Sequence, residues 1–227
     1  FKKIGIKTLK PFKINKNINK AINQIAEINK KIIDSKLFPI TLGGEHSITP
    51  GCIKPFVSKY KKLTLLHFDA HADLRESYKG KKFSHASAIK RCIDYSNVSV
   101  ISFGIRNISA EEIPILNKNK KRINIYWAKD KKKWDLKKFK KQIKNKNVYI
   151  TFDVDGLDSS IMPATGTPEP GGIFWNEALE IIKIACKNSR IVGADVNELA
   201  PIKGFNSYNF LVAKLVYKIL SYKFLLN

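Results

Sequence analysis

The sequence predicts an α/β fold with a mostly parallel central sheet. Short apolar segments alternate with amphipathic segments along the 227 residues, which is typical of repeated strand–helix units. One segment, Leu63–Phe68 (LTLLHF), is apolar almost throughout, as expected for a central parallel strand covered on both faces. Acidic and histidine residues follow the ends of several such segments. Because open α/β sheets bind ligands at the carboxyl ends of their strands, we expect the functional site there.

The individual elements follow from periodicity. Residues 14–35 repeat Ile and Ala at three- and four-residue steps, which predicts an amphipathic helix. Strands are predicted at residues 38–42, 63–68, 98–105, 123–127, 148–152 and 191–196. Further helices are predicted at residues 84–94, 132–146, 176–187 and 208–224. We expect a loop and a helix broken at Pro50-Gly51 and Pro55 over residues 47–60, and a Gly/Pro-rich loop over residues 156–172.

Composition narrows the class of protein. No apolar run reaches 18 residues, so we expect no membrane span. The opening FKKIGIKTLK has neither an apolar core nor a cleavage site, so we expect no signal peptide. Cys52, Cys92 and Cys186 lie far apart and form no CxxC motif. A reducing, cytoplasmic setting is the natural interpretation.

The formal net charge of +23 admits two interpretations. A nucleic-acid or anionic-membrane partner is one. A Lys-rich composition without such a partner is the other, and we favour it, because only five of the 42 basic residues are Arg and Arg is the usual reader of phosphates and bases. The densest lysine stretch, residues 129–146, also carries apolar residues at helical spacing. That pattern favours a surface helix with a solvated lysine face.

The segment HFDAHAD, residues 67–73, directly follows the predicted central strand. Asp69, His71 and Asp73 stand two residues apart, so an extended continuation of the strand could aim all three at one point. Two carboxylates and an imidazole suit a divalent transition metal. The alternative is a capping Asp, a hydrogen-bonded His and a solvated Asp.

Two more segments carry candidate ligands. In TFDVDGLD, residues 151–158, Asp153 and Asp155 share a face at a strand end, and adjacent carboxylates repel unless a cation neutralises them. An Asp/Gly-rich turn is the alternative. In LGGEHS, residues 42–47, His46 follows a glycine pair that allows close backbone approach. Glu45 beside it is interpreted as a supporting or structural residue.

Together these segments supply more ligands than one ion needs. The six candidates are His46, Asp69, His71, Asp73, Asp153 and Asp155. A catalytic zinc usually takes three protein ligands, whereas six ligands with bridging carboxylates suit two ions about 3.5–4 Å apart. Oxygen-rich ligation with some imidazole favours two Mn²⁺ ions over zinc.

Five motifs in this order resemble those of the ureohydrolases, the family of arginase and agmatinase. They are GGEHS (43–47), DAHAD (69–73), FDVDGLD (152–158), PATGTPEPGG (163–172) and DVNELAP (195–201). The resemblance runs from about residue 40 to the C-terminus and implies a three-layer α/β/α sandwich. Only about 40 residues precede GGEHS. We therefore expect a single ureohydrolase domain over residues 1–227 that lacks part of the family's usual N-terminal region.

The resemblance also implies roles for individual residues. One manganese ion would be held by His46, Asp69, Asp73 and Asp153, and the other by Asp69, His71, Asp153 and Asp155. His85, in FSHASAIK, matches the histidine that passes a proton to the leaving amine. Glu198 matches the acid that binds the guanidinium. A neutral-range imidazole suits proton transfer, and a charge following a buried strand requires a partner.

The implied activity is hydrolysis of a small cationic guanidino substrate to urea and an amine, with agmatine, which would give putrescine, as the first candidate. Arginase-type and guanidinobutyrase-type substrates stay open. The resemblance further implies a homo-oligomer, either a trimer or a hexamer. Two other classes also stay open: a single-zinc deacetylase-like hydrolase, and a basic nucleic-acid-binding protein on this scaffold, the latter motivated only by the charge.

Overall fold

The structure is a computed structural model that describes residues 4–226. Residues 1–3 and residue 227 lie outside the described part, so the prediction made for the opening decapeptide falls partly outside it. Six strands form one parallel sheet in the order β1-β6-β5-β2-β3-β4. The strands are β1 (Ile40–Leu42), β2 (Leu63–Phe68), β3 (Val98–Phe103), β4 (Ile123–Tyr126), β5 (Asn147–Asp153) and β6 (Arg190–Asn197). As predicted, β2 is central, and all six of its residues are buried.

Seven α-helices connect and cover the strands. They are α1 (Ile18–Asp34), α2 (Thr49–Lys59), α3 (Ala88–Ile93), α4 (Ile113–Lys118), α5 (Leu136–Ile143), α6 (Trp175–Asn188) and α7 (Asn206–Leu225). Residues from α1 to α4 pack with one apolar cluster on one sheet face. Residues from α5, α6 and α7 pack with a second cluster on the opposite face. This arrangement confirms the predicted three-layer α/β/α sandwich.

Alternation along β2 separates the two layers of the core. Leu63 and Leu65 belong to the cluster with α1–α4, whereas Leu66 and Phe68 belong to the cluster with α5–α7. Successive side chains of a strand point to opposite faces, so this one strand contributes side chains to both apolar clusters. Burial on both faces explains why the segment lacks polar alternation.

The interrupted helix predicted for residues 47–60 is wrong. The segment forms one helix, α2, with Pro50 in its first turn and Pro55 inside. Pro50 fits because an N-terminal turn has no internal partner for its amide. Gly51 lies against α1, where a Cβ would meet the Ile22 carbonyl oxygen at 2.8 Å. Tight packing on α1 holds the helix despite the hydrogen bond that Pro55 lacks.

Other boundaries shift for local reasons. Helix α1 begins at Ile18 because the Asn17 side chain accepts a hydrogen bond from the Lys20 amide. The helix predicted over residues 132–146 shrinks to α5, because the Asp135 side chain caps it at the Lys138 amide. Helix α4 is six residues long and was absent from the sequence predictions, since a single turn and a half leaves little periodic signal.

Candidate metal centre

The candidate residues sit at the carboxyl ends of four adjacent strands. His46 lies in a short turn after β1, and Glu198 directly follows β6. Asp153 ends β5, and the segment carrying Asp69 follows β2. Because β1, β6, β5 and β2 are neighbours in the sheet, segments far apart in sequence converge at one edge. This is the edge at which the sequence predicted a site.

His46 is surrounded by three carboxylates. Its Nδ1 atom lies 3.1 Å from Asp69 Oδ2, 3.0 Å from Asp73 Oδ2 and 3.5 Å from Asp153 Oδ2. All four residues are buried. Nitrogen and oxygen lone pairs therefore converge on one small volume, and this first group contains the four residues that the resemblance assigned to one ion.

His71 forms a second group beside the first. Its Nδ1 atom lies 3.0 Å from Asp155 Oδ2 and 3.5 Å from Asp69 Oδ1. Potential ligand atoms of Asp69, His71 and Asp155 all lie within 4.8 Å of one another. Asp69 thus presents one oxygen to each group, which is the geometry of a bridging carboxylate.

Backbone amides orient the acids. The amide of Asp155 donates to Asp153 Oδ1 at 2.9 Å, and the amide of Ala70 donates to Asp155 Oδ1 at 3.0 Å. The amide of His71 donates to Asp69 Oδ1 at 2.6 Å. For Asp153 and Asp155 the bond fixes one oxygen and turns the other, Oδ2, toward an imidazole. The site is thereby preorganised by its own main chain.

The electrostatics of the cluster favour added positive charge. Burial raises the pKa of Asp153 well above its usual value, and the charges of Asp155 and Asp69 add to this. Burial and the Asp69 charge raise the pKa of Asp73 to about 7. Burial alone would lower the pKa of His71, but contacts with Asp155 and Asp69 raise it to about 11. Crowded carboxylates thus hold protons that a cation could replace.

The donor set fits divalent cations. Although His46 Nδ1 is buried among carboxylates, it makes no hydrogen bond of acceptable geometry within the described residues. Its other nitrogen, Nε2, lies 2.9 Å from the Thr151 hydroxyl. An imidazole fixed through one nitrogen, with the other directed at carboxylate oxygens, is arranged as a metal ligand.

Supporting residues were missed by the sequence analysis. His67 lies between Asp69 Oδ2, at 2.8 Å from its Nε2, and Ser102 Oγ, at 2.9 Å from its Nδ1. Both of its nitrogens are occupied, and burial lowers its pKa, so it orients Asp69 as a neutral ring. His67 lies in β2 and precedes Asp69, just beyond the strand end, by two residues, and that spacing was the available signal.

A second supporting chain runs behind His46. The Thr151 hydroxyl donates to Asp195 Oδ1 at 2.7 Å, and the Asn197 amide group donates to the same oxygen at 2.6 Å. Asp195 is completely buried, and burial raises its pKa. The sequence marked DVNELAP as a motif without giving Asp195 a task. The structure shows that it fixes Thr151 and thereby the His46 ring.

His85 lies at the rim, not within the cluster. Its Nδ1 atom is 2.8 Å from Glu45 Oε1, and its ring meets Tyr78 edge-on at 5.3 Å. The Ser47 hydroxyl donates to the other Glu45 oxygen at 2.8 Å. Burial alone would raise the pKa of Glu45, but these hydrogen bonds hold it below its usual value. The half-exposed His85 ring is therefore held by an ionised carboxylate.

Glu198 lies at the same rim in a constrained backbone. Its Oε1 accepts a 2.6 Å hydrogen bond from the His46 amide, and its φ angle is +66°. Burial raises its pKa, and the Glu45 charge contributes in the same direction. Two carboxylates, one exposed and one partly buried, thus lie at the rim of the site, which suits a cationic ligand.

In this three-layer parallel α/β sandwich, four carboxylates and two imidazoles gathered at one edge of the sheet define a candidate divalent-cation site. The family model of the Arginase family matches residues 1–221. Since this match spans nearly all of the chain, the chain belongs to the arginase family.

Characterised relatives and solved structures agree with this placement. The chain is 38% identical over 196 residues to an agmatinase of Bacillus anthracis, covering 82% of this chain and 63% of that protein. It is 30% identical over 205 residues to an N(1)-aminopropylagmatine ureohydrolase of Synechocystis, covering 88% and 66%. The agmatine ureohydrolase structure from Thermoplasma volcanium aligns with a TM-score of 0.82 at 29% identity, covering 93% and 71%.

The chain spans 63–66% of the length of these two characterised relatives. Within the described residues, no helix is both long and apolar enough to cross a membrane. Cys52, Cys92 and Cys186 are all free and buried.

Proposed function

We propose that this protein is a dimanganese ureohydrolase that hydrolyses agmatine to urea and putrescine. The observation that carries the proposal is the division of six ligand residues into two groups that share Asp69. One group surrounds His46 Nδ1 and the other surrounds His71 Nδ1. A single-zinc, deacetylase-like hydrolase would require only one such group.

Each group would hold one ion. His46, Asp69, Asp73 and Asp153 would bind the first. Asp69, His71 and Asp155 would bind the second, and the family resemblance adds Asp153 as a further shared ligand. When bound, two such ions lower the pKa of water and stabilise negative charge developing on the substrate. Manganese is the proposed metal because the donor set is four carboxylates and two imidazoles.

Glu198 would bind the guanidinium. Its Oε1 is held by the His46 amide at 2.6 Å, and its Oε2 makes no hydrogen bond within residues 4–226. That oxygen is available for a charge-assisted hydrogen bond from the substrate. Because of the short link between Glu198 and His46, a guanidinium bound by Glu198 would lie beside the first ligand group.

His85 would protonate the departing amine. Glu45 holds its Nδ1 atom, which leaves Nε2 to carry the proton. The ring is 47% exposed, so it can exchange protons with solvent between turnovers. Proton transfer by a positioned imidazole contributes about 10²–10⁴-fold to rate.

The rim favours a substrate that is cationic at both ends. Glu45 and Glu198 face the entrance, and each would repel an α-carboxylate while attracting an amine. Two relatives are named for agmatine-type substrates, and a human relative, 31% identical, is named a guanidino acid hydrolase. Agmatine is therefore the first candidate, and arginine and guanidinobutyrate are the alternatives.

The proposal extends to the organisation of the protein. Residues 1–227 would act as a single domain, which would assemble into a homo-oligomer, a trimer or a hexamer, in the cytoplasm. Family membership supports the assembly, and the free, buried cysteines support the reducing compartment. Nucleic acid is not a proposed partner.

The test is urea release by manganese-loaded protein with agmatine, arginine and guanidinobutyrate assayed in parallel. Turnover of agmatine alone supports the proposal in full. Turnover of another guanidino compound supports the reaction and replaces the substrate. Elemental analysis accompanies the assay, and protein that retains neither metal nor activity refutes the proposed centre.

A further inference from the structure

Asn107 and Glu169 lie behind His71, on the side opposite the ligand groups. His71 and Asn107 form a parallel backbone bridge. The Asn107 side-chain amide donates to Glu169 Oε1 at 2.7 Å. That same oxygen lies 3.9 Å from His71 Nε2, a distance at which opposite charges attract without a direct hydrogen bond. The imidazole thus stands between two carboxylates, with Asp155 at Nδ1 and Glu169 near Nε2.

The backbone around Glu169 is rigid. Pro168 and Pro170 flank it, and each fixes its own φ and restricts the residue before it. Arg106 fastens the same segment to the aspartate turn: its Nη2 donates to the carbonyls of Glu169 at 2.8 Å and Asp155 at 2.8 Å. A glutamate held this way keeps its carboxylate in place with little loss of entropy on ion binding.

We propose that Glu169, fixed by Asn107, is a positioning residue that holds the His71 ring with Nδ1 directed at Asp69 and Asp155. A negative charge close to the outer nitrogen favours the tautomer with hydrogen on Nε2, because that N–H dipole points toward the charge, and this leaves the Nδ1 lone pair for the ion. It also increases the basicity of the ring. Loss of such outer partners typically weakens metal affinity by about 10–100-fold.

This inference rests on the proposed function, since it assigns His71 to the second ion. Its test is therefore a direct measurement of Mn²⁺ binding, which requires no substrate. The full chain is stripped with a chelator and titrated with Mn²⁺ by calorimetry, with free Mn²⁺ followed by electron paramagnetic resonance. The proteins are wild type, Glu169→Gln, His71→Ala, the double variant of these two, Asn107→Ala and the control Glu180→Gln.

We expect Glu169→Gln to weaken one of two Mn²⁺ sites by about tenfold and to have no further effect in the His71→Ala background. Asn107→Ala should weaken the same site by a smaller factor, because Glu169 is then untethered. Glu180→Gln, which removes an exposed glutamate of α6, is the charge-matched control and should bind as wild type does.

Two results would overturn the inference. One is unchanged Mn²⁺ binding by Glu169→Gln. The other is an equal loss with and without His71, which would mean that Glu169 acts on the ion or on the fold independently of that ring. Thermal unfolding of the metal-free proteins excludes a general loss of structure. The proposed function fails separately, if wild type binds no Mn²⁺ or His71→Ala binds as tightly as wild type.

Discussion

The two ends of the central sheet differ sharply in charge. At the carboxyl end, buried acids and imidazoles converge from four strands. At the opposite end, a cavity of about 570 Å³ is lined by Lys144, Lys187, Arg190 and Lys223, with Asn145, Asn188 and Ser189 between them. Helices α5, α6 and α7 all finish there, so their partial negative charges are offset by these cations. The net charge of +23 therefore arises from basic residues at helix ends and on the surface. It does not indicate the electrostatic potential at the acidic site.

The largest effect should come from removing Asp153, which the proposed centre assigns to both ions. Asp153→Ala deletes a carboxylate near His46 Nδ1. We expect the rate of urea release to fall by at least about 10³-fold, because the negative charge that develops on the substrate in the transition state would lose the cations that stabilise it. Metal content by elemental analysis should fall with it. Asp34→Ala removes an exposed acid paired with Lys30 and serves as the control. Full activity in Asp153→Ala would mean that the acidic end is not the site.

A smaller effect is expected at the rim. Glu45→Gln keeps the shape of the side chain but weakens its hold on His85 Nδ1. We expect kcat for urea release to fall about tenfold, a fraction of the full contribution of an acid–base group. KM for agmatine should rise by a smaller factor, because one of the two acids at the rim is neutralised. Glu27→Gln, on the exposed face of α1, is the control. A rise in KM with unchanged kcat would instead make Glu45 a substrate-binding residue.

A substitution at Asp158 tests how a hydrogen-bonded carboxylate near the site, which is not a candidate ligand, contributes to the free energy of unfolding. Burial alone would raise its pKa, but hydrogen bonds from Ser160 and Gly172 lower it to about 2. A pKa lower in the folded than in the unfolded state stabilises the fold above about pH 4, and this stabilisation is lost as pH falls toward 2. Asp158→Asn should lower the free energy of unfolding by about 1 kcal/mol at neutral pH.

Urea denaturation of wild type and Asp158→Asn at several pH values measures this difference. The difference in free energy of unfolding between the two proteins should become smaller as pH falls from about 4 to 2, because protonated Asp158 is neutral, as Asn is. A gap that stays constant over this range would show that packing, and not the charge of Asp158, stabilises the loop.

The smallest effect concerns the basic end. The cationic body should repel a dicationic substrate at long range, so added salt should raise kcat/KM for agmatine modestly, by about twofold, through screening. Replacing Lys144 and Lys187 together by Gln should reduce this salt dependence and leave kcat unchanged. Stopped-flow measurement of the rate of agmatine binding at several ionic strengths measures this salt dependence. Slower capture at higher salt would contradict the charge argument.

The sequence allowed the convergence of the candidate ligands to be predicted because the information for it is local. Asp69, His71 and Asp73 follow one apolar strand, and Asp153 and Asp155 end another, so strand direction alone brings them to one edge. Contacts that join distant segments could not be predicted. Glu45 and His85 are 40 residues apart and meet only because α2 and α3 pack together.

The support behind His46 escaped prediction for a related reason. Thr151 and Asp195 lie in segments that the sequence analysis singled out, but nothing in the sequence indicates that the two side chains meet. Their hydrogen bond forms because β5 and β6 pair with Thr151 beside Asp195. Pro55 failed as a helix breaker because packing against α1 outweighed the missing hydrogen bond. Local propensity was reliable where the chain determines its own geometry, and less so where neighbouring elements do.

Two of the site carboxylates occupy left-handed backbone positions. Asp73 has a φ angle of +53° and Glu198 one of +66°, a region that glycine adopts at least cost. Glycine at either position would relax the main chain and delete the carboxylate at the same time. Directed evolution that selects for thermal stability alone would therefore favour glycine at these positions and yield inactive proteins. Screens of variants of this protein need activity as a second criterion.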